Sequence, residues 1–389
     1  MFKNIRATFC SRQAMENIPE YVKGNILPAN NLNILEIISF VTPPVTNPPS
    51  LLCTEELFSR NTSMVQDVVA ARILLGLHVP NLHDIEMLKV KTHEAKQKGY
   101  ISFIYPASTA VTIQLPFWVL EYWEAIHQVI SSKALWKTAV QWIRSKGELR
   151  VLSHLEQLPW KDTLDLRRKN QSIEDIAILC SEKWLASKHM DLFGKVLEDQ
   201  LHSEGITLAS IMETSTLDKL VTMYRHEPTI YTEKKSASHI RKLGEALANG
   251  IHTKIAMSVS VRVEEGRAVL PTDSNPGNHW VTVILDVEML SILYGDSYKL
   301  PPPVELCDIL HWWLTHHRAE VFQWGDLPCS LQSDQFSCPI FSANAMAHAL
   351  LPTLFPLMPE DGCISARMDM LIQIVSYWKR TNSVSNTTI

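Results

Sequence analysis

Four side chains in the second half of the chain have the types and spacing to perform chemistry together: His279, Asp296, Gln332 and Cys338. Cys338 stands between a polar turn, Ser333-Asp334-Gln335-Phe336-Ser337, and an apolar helical run that continues to Leu351. Gln332 precedes it by six positions (338 − 332). A thiol becomes a strong nucleophile as its thiolate, and a neighbouring imidazolium lowers its pKa. A carboxylate fixes the tautomer of that imidazole and stabilises its charged form. Attack on a carbonyl builds an oxyanion, which needs donors already in place. His279, Asp296 and Cys338 supply the first three parts, and Gln332 with the backbone N–H of Cys338 supplies the donors. The chemistry is thiol-dependent acyl hydrolysis.

Two strands must carry the base and the acid. Residues 279–287 and 290–294 read as an antiparallel hairpin, after the turn cluster Asp273-Ser274-Asn275-Pro276-Gly277-Asn278. A turn centred between Glu288 and Met289 pairs residues whose numbers sum to 577, which sets Val281 opposite Asp296. His279 is then on the same face as Asp296, a diagonal neighbour about 7–8 Å away. A slip of one residue would turn Asp296 to the other face. The rival acid, Asp286, lies seven residues along the strand from His279, about 23 Å at roughly 3.3 Å per residue. It also points to the opposite face. A helix opening at Cys338, with Cys338 as its N-cap, would place the thiolate near positive dipole density.

Taken singly the four residues say little, because a buried cysteine is usually a small hydrophobe. In the order His, Asp, Gln, Cys, within a hairpin-then-helix context, they resemble the ubiquitin-like protein proteases, the SUMO-deconjugating cysteine peptidases of the adenain-like, papain-like superfamily. The matching features are His279-Trp280 opening a strand, Tyr294-Gly295-Asp296-Ser297 with one residue inserted, and the Gln332-to-Cys338 interval. Trp184-Leu185-Ala186-Ser187 is similar to the Trp-Leu-x-Asp segment that opens the family's protease domain. The layout is also similar to divergent copies found in fungal genomes. The resemblance covers roughly 150–380 and is specific at 279–341.

The resemblance implies an α+β, papain-like cysteine protease fold, with a small mixed or antiparallel sheet flanked by helices and a mostly helical N-terminal region. It implies a Cys-His-Asp triad with a Gln oxyanion donor, no cofactor and no metal. It also implies a ubiquitin-like partner whose Gly-Gly tail runs between Trp184 and Trp280. Three departures bear on activity: Pro339 replaces the glycine after the nucleophile, Ser337 replaces an acidic residue, and Ser187 replaces the Asp of the first motif. Two further readings follow. One is a catalytically impaired module that still grips a ubiquitin-like or other protein partner. The other is an accessory protein whose N-terminal half carries the role.

The 389 residues, 46% apolar and 20% charged, are ordinary for a globular chain, and a net charge of −5 with a pI near 6.3 offers no broad basic field for nucleic acid. The short Arg167-Arg168-Lys169 run reads as solvated helix surface. The seven cysteines, at 10, 53, 180, 307, 329, 338 and 363, form no CxxC pair and no zinc-type cluster with histidine. They point to a reducing, intracellular location in nucleus or cytoplasm. Neither a signal-peptide core nor an apolar run of membrane-spanning length is read.

Residues 1–60 read as loop-rich, 61–150 as a helical accessory region, and 151–389 as the catalytic domain. Helices are expected over 64–76, in an aromatic-rich hairpin starting at Pro116 with a second arm over 135–143, and over 172–179. Others are expected over 181–201 with Ser181 as N-cap, over 237–248, and from 304, 339 and 365 onward. Strands are expected over 255–263 and in the 279–294 hairpin.

Overall fold

In the computed structural model of the chain, residues 18–46, 57–106, 111–166, 169–226, 228, 231–233 and 235–385 are described. Cys10, Cys53, Pro48-Pro49 and Arg167-Arg168, on which sequence readings fell, lie outside that set. The chain forms two units: residues 1–138 with 155–162, and residues 139–154 with 163–389.

Residues 18–46, expected as part of a loop-rich segment, hold helices in the first unit. Helices α1 (Glu20–Ile26) and α2 (Ile34–Ser39) form there. A full capping box holds α2: Asn33 accepts from the Glu36 N–H while Glu36 accepts from the Asn33 N–H. The stretch expected to be one helix over 64–76 is two short turns, Val68–Ala71 and Ile73–Gly76. Helix α3 (Leu82–Gln97), capped by Asn81, and strands β1 (Phe58–Ser59), β2 (Ser102–Pro106) and β3 (Thr112–Pro116) were not anticipated. Pro116 therefore ends a strand rather than starting a helix. The expected helical hairpin is one helix of 27 residues, α4 (Val119–Ser145). The stretch between the two expected arms holds no Gly or Pro, so nothing there stops propagation.

The second unit holds the candidate site. A mixed six-stranded sheet joins β6 (Ala209–Met212), β7 (Lys254–Glu264), β8 (Arg267–Val269), β9 (His279–Asp286), β10 (Ser291–Gly295) and β11 (Gln323–Asp326). A separate two-stranded ribbon joins β4 (Thr163–Leu166) to β5 (Lys169–Ser172). The order β11-β10-β9-β7-β6 puts β9 at the centre. Each outermost neighbour is parallel, β6 with β7 and β10 with β11, while β9 is antiparallel to both β7 and β10. All eight residues of β9 are buried. Such a run, buried on both faces, is what a covered central strand requires.

One face carries Val281, Val283 and Leu285. They join a core with Leu217 and Leu220 of α6 (Thr214–His226), Ile240 and Leu247 of α7 (Ser238–Ala248), and Leu306, Ile309, Leu310 and Trp313 of α8 (Val304–Thr315). The other face takes α9 (Cys338–Leu350), fastened where Thr282 Oγ1 donates to the Ser342 carbonyl at 2.7 Å and Ser342 Oγ donates to the Val281 carbonyl at 3.0 Å. The unit also contains α5 (Ser187–Ser203) and α10 (Cys363–Ser385). The fold is α+β.

The helix expected over 172–179 is present as a 3-10 helix, 173–180, capped by Ser172, and two helix starts are corrected. Ser181 ends that helix instead of starting the next, because its hydroxyl donates back to the Ile178 carbonyl; α5 begins six residues later (187 − 181), with Ala186 as N-cap. Cys338 is the first residue of α9 rather than its N-cap, and Ser337 takes the cap position with φ −92° and ψ −7°. Pro339 then sits in the first turn, where its missing N–H costs nothing.

Candidate active site

The hairpin has the register that the turn dictates. Asp286 pairs with Ser291 and Thr282 with Gly295, so paired numbers sum to 577. The next pair along is Val281 with Asp296. His279, at the head of β9, reaches Asp296 diagonally, and its Nε2 lies 2.6 Å from Asp296 Oδ1 with both side chains 1% exposed. A carboxylate only accepts, so Nε2 carries the proton and Nδ1 is left as the acceptor. Nδ1 is buried and has no hydrogen-bond partner among the described residues. Asp286 lies at the far end of β9, where it pairs with Lys254 and accepts the Met289 N–H.

Asp296 also builds the turn behind the histidine. Its Oδ1 accepts the Tyr298 N–H at 2.8 Å and its Oδ2 the Leu300 N–H at 3.2 Å. With the His279 Nε2–H these make three donors, which fix the carboxylate in place. The turn brings the Tyr298 ring flat against the His279 imidazole, with centroids 4.5 Å apart and planes at 14°.

Cys338 is 1% exposed at the start of α9. Burial pushes its thiol up to about 11, against the backbone N–H of Trp280 and the indole N–H of Trp184, which face the sulfur and favour its anion. The charges of Asp334 and Asp296 add to the rise. The Trp184 indole N–H itself makes no hydrogen bond among the described residues, so it faces the sulfur without bonding it. The resting site therefore holds a neutral thiol, and desolvation outweighs the dipole of α9.

Gln332 is fixed by its neighbours. Its backbone N–H donates to the Ser297 carbonyl, and its Oε1 accepts from Ser297 Oγ at 2.7 Å. Its Nε2 donates to the Asp334 carbonyl at 2.7 Å and to Tyr298 Oη at 3.1 Å. Both amide hydrogens are thereby engaged inside the protein, whereas the sequence left this amide free for an oxyanion.

Asp334 was missed by sequence reasoning. Its Oδ1 accepts the N–H groups of Phe336 and Ser337, and its Oδ2 accepts the Ser337 hydroxyl. It ties the turn that presents Cys338. The signal was available in Asp334-Gln335-Phe336-Ser337, an Asx-type turn directly before a helix.

Trp184 and Trp280 come together as a stacked pair, with centroids 5.6 Å apart and planes at 25°. Trp280 Nε1 donates to the Leu185 carbonyl at 2.9 Å, which locks the two segments. Held between two facing rings, a peptide needs about 7 Å, two van der Waals contacts of roughly 3.5 Å. No tail fits between the rings as they stand. A cavity of about 620 Å³ lies elsewhere, against Ile340, Ala343 and Ala347 of α9. Among the described residues no group of three or more His, Cys, Asp or Glu is placed to hold a metal ion, and no helix is long and apolar enough to cross a membrane.

No protein-family model matches the chain, and no curated protein sequence matches it. Solved structures align with it more loosely. The C-terminal Ulp1 protease domain in complex with Smt3, the yeast ortholog of SUMO, shares 16% identity over 60% of this chain and 95% of that one, with a TM-score of 0.42. The Ulp1-like SUMO protease catalytic domain of Chaetomium thermophilum shares 12% over 55% and 81%, with a TM-score of 0.40. Xanthomonas XopD shares 18% over 48% and 99%, with a TM-score of 0.30. These scores mark a coarse likeness of layout, and the site stands on its own geometry.

Proposed function

We propose that the chain is a cysteine peptidase or isopeptidase acting at the Gly-Gly tail of a ubiquitin-like modifier. The observation that carries this reading is the fully buried His279–Asp296 pair, whose second ring nitrogen is unclaimed, together with a buried helix-start cysteine that feels the charge of the same Asp296. In this reading Cys338 Sγ attacks the carbonyl after the tail while its proton passes to His279 Nδ1. Asp296 holds the proton on Nε2 and supports the imidazolium. His279 then protonates the leaving amine, and water, activated by the same imidazole, releases the acyl-enzyme. The oxyanion takes the Cys338 N–H and one Gln332 amide hydrogen, which must turn away from Tyr298 or Asp334. Trp184 and Trp280 part to admit the tail.

A modifier carrying a vinyl sulfone after its Gly-Gly tail tests the assignment. A mass adduct on Cys338, lost in Cys338→Ser, is expected, and peptidase turnover should fall at least about 10³-fold in that variant. A Cys338→Ser chain that cleaves as fast as the parent sinks the proposal. A second reading, a module that binds such a modifier without cleaving it, is favoured by the neutral thiol and the closed tryptophan pair. Tight binding with no adduct would select it.

A further inference from the structure

Tyr298 has no role in the chemistry set out above, yet it touches His279, Asp296 and Gln332, and lies near enough to Cys338 for their charges to interact. Its ring lies flat on His279, its backbone N–H holds Asp296 Oδ1, and its hydroxyl accepts from Gln332 Nε2 while donating to the Asp334 carbonyl at 2.8 Å. The turn that presents it is strained. Lys299, the next residue, has φ +57°, in the region that costs a side-chain-bearing residue energy, and the turn keeps it there through the Lys299 N–H to the Asp296 carbonyl and Lys299 Nζ to the Cys329 carbonyl at 2.6 Å. Strain of this kind persists where the surroundings over-determine it, and here it delivers one aromatic ring onto one imidazole.

We infer that Tyr298 is the positioning residue of the site: its ring sets the plane of His279 and stabilises the imidazolium, while its hydroxyl couples that ring to Gln332 and to the turn before Cys338. The inference rests on the thiol-peptidase reading. A stacked face restricts rotation of the imidazole about its Cβ–Cγ bond, which keeps Nε2 on Asp296 and so keeps Nδ1 turned away from it. The face of a phenol ring also attracts the positive charge that His279 acquires when it takes the thiol proton. The ionisable groups around this imidazole are Asp296 from the end of β10, Cys338 from α9, Tyr298 itself and, one contact further, Asp334. Asp296 supplies the fixed negative charge, so the ring modulates a pair whose geometry is already set. The two parts of Tyr298 are chemically separable, since phenylalanine keeps the stack and drops the hydroxyl.

The experiment follows alkylation of Cys338 by iodoacetamide against pH, read by mass on its peptide, together with kcat and KM on a Gly-Gly-tailed fluorogenic modifier. The full-length parent is compared with Tyr298→Phe, Tyr298→Leu, Tyr298→Met and His279→Ala. Leucine or methionine keeps water off the imidazole but offers no π face, so either folded variant suffices. Without the ring the imidazolium is less stable, so the alkylation midpoint should move up by about one pH unit and kcat fall about tenfold at little change in KM. Tyr298→Phe should keep the parent's midpoint. The inference is overturned if Tyr298→Leu or Tyr298→Met retains both midpoint and kcat, or if Tyr298→Phe shifts the midpoint as far as they do. A parent profile identical to that of His279→Ala would overturn the peptidase reading itself, and the inference with it. Failure confined to the Tyr298 variants leaves the parent and His279→Ala profiles distinct.

Discussion

The two halves of the proposed site are in different states of readiness. The base half, His279 with Asp296, is assembled at rest: a 2.6 Å contact, both side chains buried, and three donors on the carboxylate. The nucleophile half is shut, because burial raises the Cys338 thiol to about 11, two indoles stack face to face beside it, and both Gln332 amide hydrogens are engaged. The first half is local, built on one hairpin and the turn after it. The second is assembled from segments more than 90 residues apart, as the bond from Trp280 to Leu185 shows (280 − 185). A hairpin's geometry follows from its own turn, whereas a closed cover over a thiol can be opened by a ligand that binds the open form better. The comparison suggests that binding of a tail, rather than formation of the dyad, is the step that switches such a site on.

The largest effect should come from breaking the finished half. Asp296→Asn keeps the volume but offers Nε2 an amide in place of a carboxylate. The side chain can present its N–H₂ to the ring, which then places the ring proton on Nδ1, the atom proposed to accept from the thiol. Turnover should fall by about 10²–10⁴-fold with KM little changed. Steady-state kinetics on a Gly-Gly-tailed substrate measure this, and a loss of less than about threefold would show that Asp296 only packs.

That half was also the legible one. Once the turn between Glu288 and Met289 is fixed, period-two alternation and cross-strand pairing place Asp296 near His279 without further information. The buried stripe of α8, with Leu306, Ile309, Leu310, Trp313 and Leu314, is equally plain in its spacing. What stayed hidden depends on distant partners or on weak local signals. Strands β6 and β11, four residues each, owe their existence to β7 and β10 rather than to any alternation of their own. Ser181 looked like an N-cap because hydroxyl side chains close turns and start helices by the same kind of bond. The direction of the Gln332 amide is set by Asp334 and Tyr298, which the spacing from Gln332 to Cys338 does not reveal. Pro339 is one of three departures read as bearing on activity, because the family keeps glycine after the nucleophile. In the helix it lies in the first turn, a place proline favours.

Trp184→Ala tests the closed half in two directions at once. It removes the indole cover and with it one N–H that favours the thiolate. Desolvation is the larger of the two influences on Cys338, so the net effect is a fall of the thiol from about 11 toward its ordinary value near 9. The thiolate fraction at pH 8 rises as that value falls, and alkylation by iodoacetamide should quicken by about tenfold. Cleavage of the tailed substrate should slow by about tenfold, because the proposed channel for the tail loses one wall. Opposite signs for a small reagent and a large substrate identify a cover that is also a binding wall. Equal slowing of both would make Trp184 a packing residue and remove the contrast between the two halves.

The smallest expected effect reaches the same cover from behind. Arg367 of α10 is 1% exposed, and its hydrogen bonds to the backbone run to three carbonyls: Nη1 to Ser181 at 2.8 Å and Ile178 at 3.4 Å, and Nη2 to Lys183 at 2.5 Å. Burial lowers its pKa, and Nε has no hydrogen-bond partner among the described residues. A buried guanidinium on these terms is costly, so its value must lie in what it holds, the segment that ends one residue before Trp184. Arg367→Met preserves most of the volume and releases three carbonyls, of which that of Ile178 keeps the Ser181 hydroxyl as a donor. Each buried acceptor left unpaired costs about 1–3 kcal/mol, offset in part by removing the buried charge, so unfolding should show a modest net loss of about 1–2 kcal/mol in urea. If the segment positions the cover, Cys338 alkylation should also quicken by about twofold to threefold, in the same direction as in Trp184→Ala but less far. A destabilised variant with the parent's alkylation profile would confine Arg367 to the core. It would also show that the indole stack is held by Trp280 and Leu185 alone.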